Sequence, residues 1–554
     1  MSRVFPGVAL VLANFLLFVS ILMRLDFPTF ERPMNAYSGF VSFGHIDTIG
    51  ADSENSACLI SILFLFGGQR YKEVRTIQKK NAFFCFFSNY SYLCSHFFTK
   101  LGKEDGKEMK DNSLKRQLKV LTIPVFIEMA LVMLLGAVDT VMLSRYSDNS
   151  VAAVGLDNQL ISLVFLVYQF FSMGAAILCA QYIGAGLRKR LVQVVGMALV
   201  INLILGLAVS LLLFFYSEHL LLLMGLRPEL MDDGLVYLRL TGALSFFQAL
   251  SLTFSASLRS ADKVVYPMVV TGIVNVLNIL GNYALIFGHW GCPQLGVEGA
   301  AIATATSRAV AMILLAIIHF RVHIPRFPLH YFRPIPWKEL RNLLYIGIPA
   351  MSENISYCLS QVVITFFINQ ISNEALAART YCHNMIMFVY LFCLSITQGG
   401  DILVGHLVGQ QRHQAAYILG NYFFRWSMII TLTGSVLLAV FGRSILTAFT
   451  HNPEIIAMGV WVLVVDIFLE IGRTSNIFAG STLRATGDTF YPFVVGIIFQ
   501  WSVAVGLSYV IGIPLGYGLV GMWIGFALDE NIRGVILVRR WRSGRWRTKG
   551  FVKG

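Results

Sequence analysis

The sequence predicts an all-α integral membrane protein with twelve transmembrane helices in two six-helix lobes related by a parallel internal repeat. Three observations indicate this fold class: an apolar composition, a succession of long apolar segments, and matching residues at a constant spacing. Hydrophobic residues make up 56% of the 554 residues and charged residues only 13%, and the mean hydropathy is +0.68. Because soluble proteins carry about 25% charged residues, this chain lacks the polar surface that water requires, and a lipid bilayer suits it.

From about residue 120 onward the chain is a series of apolar segments, each long enough to cross a hydrocarbon core of about 30 Å as a helix. Backbone groups in lipid must be hydrogen-bonded within the protein, so such segments are helices or barrel strands, and their length excludes barrel strands. The twelve predicted helices cover 120–144, 151–183, 190–216, 232–258, 264–288, 294–323, 340–370, 376–408, 414–440, 456–484, 489–512 and 517–541.

The distribution of basic residues predicts the orientation of this bundle. Lys and Arg are concentrated before the first helix, in every second connection and after the last helix. Examples are Lys115, Arg188, Lys189, Arg259, Lys263, Arg326, Arg333, Arg412, Arg484 and Arg540. Basic residues are enriched in cytoplasmic loops. We therefore expect a multi-pass protein of the cytoplasmic (inner) membrane with both ends of the bundle in the cytoplasm.

The two halves of the bundle match each other in sequence. Pro124 and Glu128 correspond to Pro349 and Glu353, at a spacing of 225 residues (349 minus 124). Other pairs at this spacing are Gly174 and Gly399, Gly184 and Gly409, Arg259 and Arg484, and Pro267 and Pro492. An even number of helices per unit gives both units the same orientation, so they should be related by an axis along the membrane normal, with a cavity between the lobes.

The same patterns divide the chain into five parts. These are an N-terminal extension over 1–108 that the bundle does not need, with an apolar stretch at 4–23 that could form an extra helix; a first lobe over 109–323; a proline-rich cytoplasmic linker over 324–339; a second lobe over 340–541; and a basic cytoplasmic tail over 542–554. We interpret the extension as dispensable or spurious.

Polar residues that occur in only one copy of the repeat are the candidates for chemistry. The first lobe has Asp139, Asn278, Asn282 and Thr304, where the second lobe has Ile364, Val503, Leu507 and Phe526. Asn278 and Asn282 are four residues apart and so share one helix face. Polar groups are expensive inside a membrane and mark functional sites. One carboxylate with amide and hydroxyl oxygens suits a proton or a hard monovalent cation.

Several motifs resemble the multidrug and toxic compound extrusion (MATE) transporters. They are Ile123-Pro124, Val138-Asp139-Thr140-Val141-Met142, Val151-Ala152-Ala153-Val154-Gly155, Leu258-Arg259-Ser260-Ala261-Asp262, Leu483-Arg484-Ala485-Thr486-Gly487-Asp488 and Gly296-Val297-Glu298-Gly299. The resemblance covers about 115–540. It implies an antiporter coupled to protons or sodium that exports drug-like, often cationic amphipathic compounds by alternating access. It also implies that Asp139, Asn278, Asn282 and Thr304 form the cation or proton site.

The second lobe supplies further candidates for substrate binding or a second site. Three are intramembrane acids, and three are polar or aromatic residues that could line a cavity and contact organic cations. They are Glu353, Asp401, Glu470, Tyr357, Tyr381 and Asn384. Arg473 stands where some relatives of the MATE family have an acid, and we expect it to pair with Glu470.

The sequence disfavours other classes of function. It has no metal-binding His pair, phosphate-binding loop or nucleophile elbow, so we expect neither an enzyme nor a cofactor beyond the coupling ion. The eight cysteines form no C-x-x-C pair, and no soluble basic face indicates nucleic acid. The expected partners are membrane lipid and small-molecule substrates, and the expected state is a monomer. The alternative is a flippase for lipid-linked glycans, which would need several cavity arginines for pyrophosphate; only Arg308, Arg379 and Arg473 are available.

Overall fold

A computed structural model describes residues 112–324 and 328–552, so the predicted helix at 4–23 and the extension over 1–108 lie outside the described residues. The first half of the bundle contains α1 (Asn112–Tyr146), α2 (Asp148–Gly184), α3 (Arg188–Leu223), α4 (Met231–Ala243), α5 (Ser245–Ser260), α6 (Val265–Phe287) and α7 (Val297–Ile318). The second half contains α8 (Trp337–Asn369), α9 (Asn373–Gly409), α10 (His413–Phe449), α11 (Pro453–Thr486), α12 (Phe490–Phe499), α13 (Gly506–Gly512) and α14 (Gly518–Arg542).

The predicted all-α membrane fold is confirmed. Among the described residues, nine helical spans are long and apolar enough to cross a membrane, and the bent pair of α4 and α5 makes a tenth. The helices α8 and α14 occupy the positions of the predicted seventh and twelfth spans but are more polar, and α14 carries Asp529, Glu530 and Arg533 in its interior. Large apolar side chains such as Phe215 and Val362 are exposed on the outside of the bundle, as expected for a surface in contact with lipid.

The internal repeat is visible in the helix boundaries. The helices α2 and α9 are both 37 residues long and begin 225 positions apart (373 minus 148). Both start with the same cap, because the side chains of Ser147 and Ser372 accept hydrogen bonds from the backbone N–H groups of Ser150 and Ala375. Such caps satisfy amide groups that have no partner within the helix. The repeat therefore determines local structure as well as topology.

The two halves differ at two places. The fourth span bends by 45° between α4 and α5, whereas its counterpart α11 is one unbroken helix. Conversely, α6 is continuous, whereas its counterpart contains a π-helical segment at Gln500–Val505 between α12 and α13. Bulges of this kind often lie near functional sites.

The halves contact each other at the end of the bundle that carries the basic connections, which we call the basic end. A methyl group on Gly184 of α2 would lie 2.1 Å from the carbonyl oxygen of His406 in α9, and one on Gly409 would lie 2.0 Å from that of Gln181. These two contacts are exact equivalents in the repeat. Glycine is required at both positions because no side chain fits where the two backbones meet.

The chain after α14 folds back onto the basic end. Trp546 is fully buried and stacks on Trp541 with ring centroids 4.5 Å apart. Farther along, the backbone N–H of Phe551 donates a hydrogen bond of 2.9 Å to the Gln181 side chain in the first half. The Gln411 side chain in the second half donates to the carbonyl of Val552 at 2.8 Å. This segment, residues 543–552, therefore bridges both halves, and we call it the C-terminal strap.

Candidate functional site

The structure brings the four predicted first-lobe residues together from three helices. The Asn282 amide nitrogen on α6 donates to Asp139 Oδ1 on α1 at 2.7 Å and also contacts Asn278 Oδ1 at 3.0 Å. The Asn278 amide nitrogen lies 3.4 Å from the Thr304 hydroxyl on α7. The two Asn side chains are buried. A continuous polar chain therefore runs from α1 through α6 to α7.

One acceptor of this polar cluster has no hydrogen-bond partner among the described residues. Asn282 Oδ1 is buried and unpartnered among the described residues. A buried acceptor left without a donor costs free energy, and a proton on the neighbouring carboxyl or a bound cation would relieve that cost. The arrangement can therefore exchange one positive charge with its surroundings.

A second charged group adjoins the cluster. Arg308 lies one helical turn after Thr304 on α7, and its guanidinium is close enough to interact electrostatically with Asp139. It packs over the Phe165 ring, 5.0 Å from the ring centroid. Sequence reasoning considered Arg308 only for pyrophosphate binding. None of the ion pairs of the described residues joins Arg308 to Asp139, so its charge lowers the negative potential at the site without neutralising the carboxylate directly.

Asp157 on α2 is a buried acid that sequence reasoning did not select. Neither carboxyl oxygen has a hydrogen-bond partner among the described residues, and the side chain is fully buried. It lies beside α4, where a methyl group on Gly234 would be 3.7 Å from Asp157 Oδ1, and it interacts electrostatically with Tyr237. Its counterpart in the repeat is Cys382. Asp157 is therefore, like Asp139, an acid that occurs in only one copy of the repeat, and this difference could have identified it.

Glu353 belongs to an ion pair that occurs in both halves. The Arg484 guanidinium on α11 donates to Glu353 Oε2 on α8 at 2.8 Å. In the first half Arg259 lies 3.6 Å from Glu128. Because the pair is repeated, it joins equivalent helices in each lobe. This placement favours a structural role for Glu353 over the substrate-binding role that the sequence suggested.

The other two second-lobe acids are also held by neighbours. Asp401 on α9 accepts hydrogen bonds from Thr482 at 2.8 Å and from Ser481, both on α11. Glu470 pairs with Arg473 within α11. Neither carboxylate lines the cavity described below. Sequence reasoning missed a further buried group, in which Arg533 on α14 lies 2.9 Å from Glu530 and also pairs with Asp529.

A cavity lies among the helices of the second half. It is lined by Tyr357, Gln361, Ile364, Ile368, Arg379, His383, Ile386, Met387, Tyr390, Arg473, Met522, Trp523 and Phe526. Of the six second-lobe candidates, only Tyr357 contributes to this wall. Tyr381 instead packs in the hydrophobic core against Phe449, with ring centroids 6.1 Å apart, and Asn384 lies outside the lining. The expectation that these two residues line a substrate cavity concerned the space between the two lobes, and it stays a prediction.

Comparison with known proteins identifies the family. The MatE family model matches residues 124–284 and 349–517, once in each half and beginning at equivalent positions of the repeat. The chain belongs to the MATE family of transporters. It is 40% identical to the uncharacterized transporter YisQ of Bacillus subtilis over 433 residues, which is 78% of this chain and 95% of YisQ.

More distant members agree with this assignment. The chain is 29% identical to the probable multidrug resistance protein NorM of Thermotoga maritima, covering 83% of this chain and 97% of that protein. The fold matches a crystal structure of the Vibrio cholerae MATE transporter VcmN with a TM-score of 0.72 at 19% identity, over 78% of this chain and 98% of that one. The predicted resemblance to MATE transporters is confirmed, and the protein is a multi-pass membrane transporter related to multidrug efflux proteins.

In the part of the chain that the structure describes, no group of three or more His, Cys, Asp or Glu residues is arranged to hold a metal ion. The polar cluster around Asp139 therefore has a single carboxylate, two amides and a hydroxyl as its ligand set. Such a set can bind a proton or a monovalent cation.

Proposed function

We propose that this MATE protein is a proton-coupled antiporter that exports drug-like amphipathic compounds, with the carboxyl group of Asp139 as the proton carrier. The observation that carries the proposal is the hydrogen bond of 2.7 Å between Asn282 and Asp139, in a polar cluster that has no equivalent in the other half. Its support is threefold: the cluster spans three helices, it contains an unpartnered acceptor, and the family includes multidrug resistance proteins.

Protons are the better coupling ion for this site than sodium. A sodium ion needs several oxygen ligands and a net negative charge to offset the loss of its hydration shell. Here Asp139 is the one acid of the cluster, and Arg308 interacts with it electrostatically. The charge of Arg308 also disfavours protonation, but a proton forms a covalent bond to one carboxyl oxygen and needs no further ligands. Protonation would remove the charge of Asp139 and change its bond to Asn282, which biases the packing of α1 against α6.

Alternating access then requires the halves to separate at the basic end. In the present structure this end is closed by the Gly184 and Gly409 contacts and by hydrogen bonds such as that from Gln181 to the carbonyl of Ala485 at 2.7 Å. We propose that the protein works as a monomer in the cytoplasmic membrane, with the basic end in the cytoplasm. The membrane potential can drive the export of a substrate, since one charge moving through 100 mV releases about 2.3 kcal/mol.

The flippase alternative receives little support from the site. Arg473 is paired with Glu470, and Arg308 interacts electrostatically with Asp139. Of the three arginines that the sequence offered, this leaves Arg379 as the one that has no acid near it among the described residues. A pyrophosphate group carries more negative charge than one guanidinium can offset.

The decisive experiment uses the purified full-length protein in proteoliposomes. We expect an imposed proton gradient to drive transport of ethidium or of naphthylacetate, and an imposed sodium gradient alone to drive none. The substitution Asp139→Asn should abolish proton-driven transport while leaving the unfolding temperature of the protein unchanged. Asp232→Asn, which removes an exposed acid of α4, is the matched control and should transport normally. Sodium-driven transport, or proton-driven transport by Asp139→Asn, would contradict the proposal.

A further inference from the structure

The cavity of the second half has an unusual charge. Its lining contains two arginines and a histidine, and no Asp or Glu is among the described residues that form it. Arg473 is already neutralised by Glu470 on the same helix, and its guanidinium lies over the rings of Tyr390 and Phe526, 5.9 Å from each centroid. Arg379 on α9 is therefore the group that determines the charge of this wall.

Arg379 makes hydrogen bonds to neutral groups only. Its guanidinium donates to the Thr365 hydroxyl at 2.6 Å and to Gln361 Oε1 at 3.2 Å, both on α8. No carboxylate of residues 112–324 or 328–552 lies within ion-pairing distance of it, since none of their ion pairs includes Arg379. A guanidinium has five N–H donors in a planar fork that matches a carboxylate. Arg379 is thus held in position with donors to spare.

A second donor lies beside it. Because Gln361 Oε1 accepts from Arg379, its amide nitrogen is free to donate, and that atom is buried with no hydrogen-bond partner among the described residues. An unsatisfied buried donor costs free energy until an acceptor arrives. The remainder of the wall is mostly apolar, and it includes three aromatic rings, those of Trp523 and Phe526 from α14 and of Tyr390 from α9. The cavity combines two donors with surfaces on which a ring can stack.

In the repeat, this cavity of the second half is the counterpart of the proposed proton site of the first half. Ile364, which lines the cavity, is the counterpart of Asp139, and Phe526 is the counterpart of Thr304. Conversely, Arg379 and Gln361 correspond to Val154 and Gly136 of the first half. The first half therefore has a carboxylate with Arg308 nearby, whereas the equivalent cavity of the second half has a guanidinium and no carboxylate among its described lining residues.

We propose that the second-half cavity is a binding site for amphipathic aromatic carboxylates. The carboxylate would be held by Arg379 and the Gln361 amide nitrogen, and the ring by Trp523, Phe526 and Tyr390. The inference refines the substrate class of the proposed exporter and rests on that function for its physiological meaning, although the binding step requires no gradient. It adds a site for anions to the expected transport of organic cations such as ethidium, which would bind elsewhere, because an organic cation placed here would lie beside an uncompensated guanidinium.

Equilibrium binding to the purified full-length protein in detergent tests the proposal with three probes of one shape: 1-naphthylacetate, the neutral 1-naphthylacetamide, and the cationic 1-naphthylethylamine. Charge-assisted hydrogen bonds contribute about 1.5–3 kcal/mol, so naphthylacetate should bind at least about tenfold more tightly than the other two. Arg379→Gln should remove this preference without changing the affinity for the amide. Arg443→Gln, which removes an exposed arginine of α10, should preserve it.

A second variant covers the case in which Arg379→Gln does not fold. Gln361→Glu retains the size of the side chain and places a carboxylate against Arg379, so it should abolish the preference for naphthylacetate. Equal affinity for the three probes, or an unchanged preference in both Arg379→Gln and Gln361→Glu, would overturn the proposal. Asp139→Asn should bind naphthylacetate normally. If the parent protein shows no preference for naphthylacetate but still transports ethidium with a proton gradient, the carboxylate site alone is refuted. If it shows the preference but transports nothing with a proton gradient, the antiport function alone is refuted.

Discussion

At the scale of single residues, the buried polar groups of this protein differ in how well they are satisfied. Asp401 has two hydroxyl partners on a neighbouring helix, and Glu353 has Arg484. Asp157 has neither kind of partner among the described residues. A polar group buried without a hydrogen bond destabilises a protein by about 1–3 kcal/mol. Such a cost indicates that the group is retained for something other than stability.

We predict that Asp157→Leu increases the free energy of unfolding by about 1 kcal/mol or more, because it replaces an unsatisfied carboxyl with an apolar side chain of similar size. Thermal unfolding of the detergent-solubilised protein measures this as a higher midpoint temperature. The matched control is Asp233→Leu, which removes an acid that accepts a hydrogen bond of 2.7 Å from Ser150 and should lower the midpoint. A lower midpoint for Asp157→Leu would show that the carboxyl has a stabilising partner.

The residue scale also shows how far the sequence could predict the site. Asp139, Asn278, Asn282 and Thr304 were found because the repeat isolates polar groups that occur in one copy, and the structure places them in one cluster. The positions of Tyr381 and Asn384 could not be predicted. They lie on a long apolar helix whose faces differ little in polarity, so periodicity does not tell the cavity side from the core side.

At the scale of elements, the packing of the C-terminal strap against the bundle was not predicted from the sequence. The sequence indicated a basic tail over 542–554, and high charge is typical of a solvated segment. The structure instead buries Trp546 against Trp541 and places Phe551 against Tyr345, with ring centroids 6.2 Å apart. Two aromatic residues among several bases were the available signal, but their partners lie far away in the sequence. The bend between α4 and α5 and the π segment at 500–505 were likewise not predicted, since a local break or a change of helix type leaves the apolar run itself uninterrupted.

We predict that Phe551→Ala weakens closure of the basic end. Phe551 is partly buried, so its loss should cost the closed state about 1 kcal/mol, a change of about fivefold in the ratio of closed to open forms. Spin labels on Lys263→Cys and Arg412→Cys, two exposed positions on opposite halves of the basic end, should show a larger population of long distances in pulsed dipolar measurements.

The control for this measurement is Thr548→Ala in the same strap, where the hydroxyl only contacts the carbonyl of Arg545 at 3.4 Å. This variant should give the distance distribution of the parent protein. An unchanged distribution in Phe551→Ala would show that the strap follows the closure without stabilising it.

At the scale of the whole molecule, the two halves are equivalent in their packing and differ in their buried charges. The equivalence appears in the matched glycine contacts of α2 and α9. The difference appears in Asp139 and Arg379, whose counterparts in the repeat are the apolar residues Ile364 and Val154. The sequence predicted the equivalence well because glycine and proline positions are set by backbone geometry, which a duplication preserves. The sequence predicted the buried charge of Asp139 but not that of Arg379. The charge of the second-half cavity depends on which arginine is paired with an acid, and that pairing depends on contacts that the sequence does not show.

We predict that Gly184→Ala and Gly409→Ala impair transport to the same extent, by about tenfold or more. In each variant the added methyl group would overlap a carbonyl oxygen of the other half, so the basic end cannot close fully. Proton-driven ethidium transport in proteoliposomes measures the effect. Gly155→Ala on the same helix as Gly184 adds a methyl group with no atom within 4 Å and should transport normally. Impairment of only one of the two glycine variants would contradict the symmetric closure.

The strap also has a consequence for biogenesis. Residues 549–552 leave the ribosome after every membrane-spanning helix described here, and their hydrogen bonds with Gln181 and Gln411 add to the direct contact between the halves. The helices can therefore insert into the bilayer and pack before this seam receives its last contacts. Premature termination within the strap should yield an inserted bundle whose basic end is more exposed to proteases and quality-control factors.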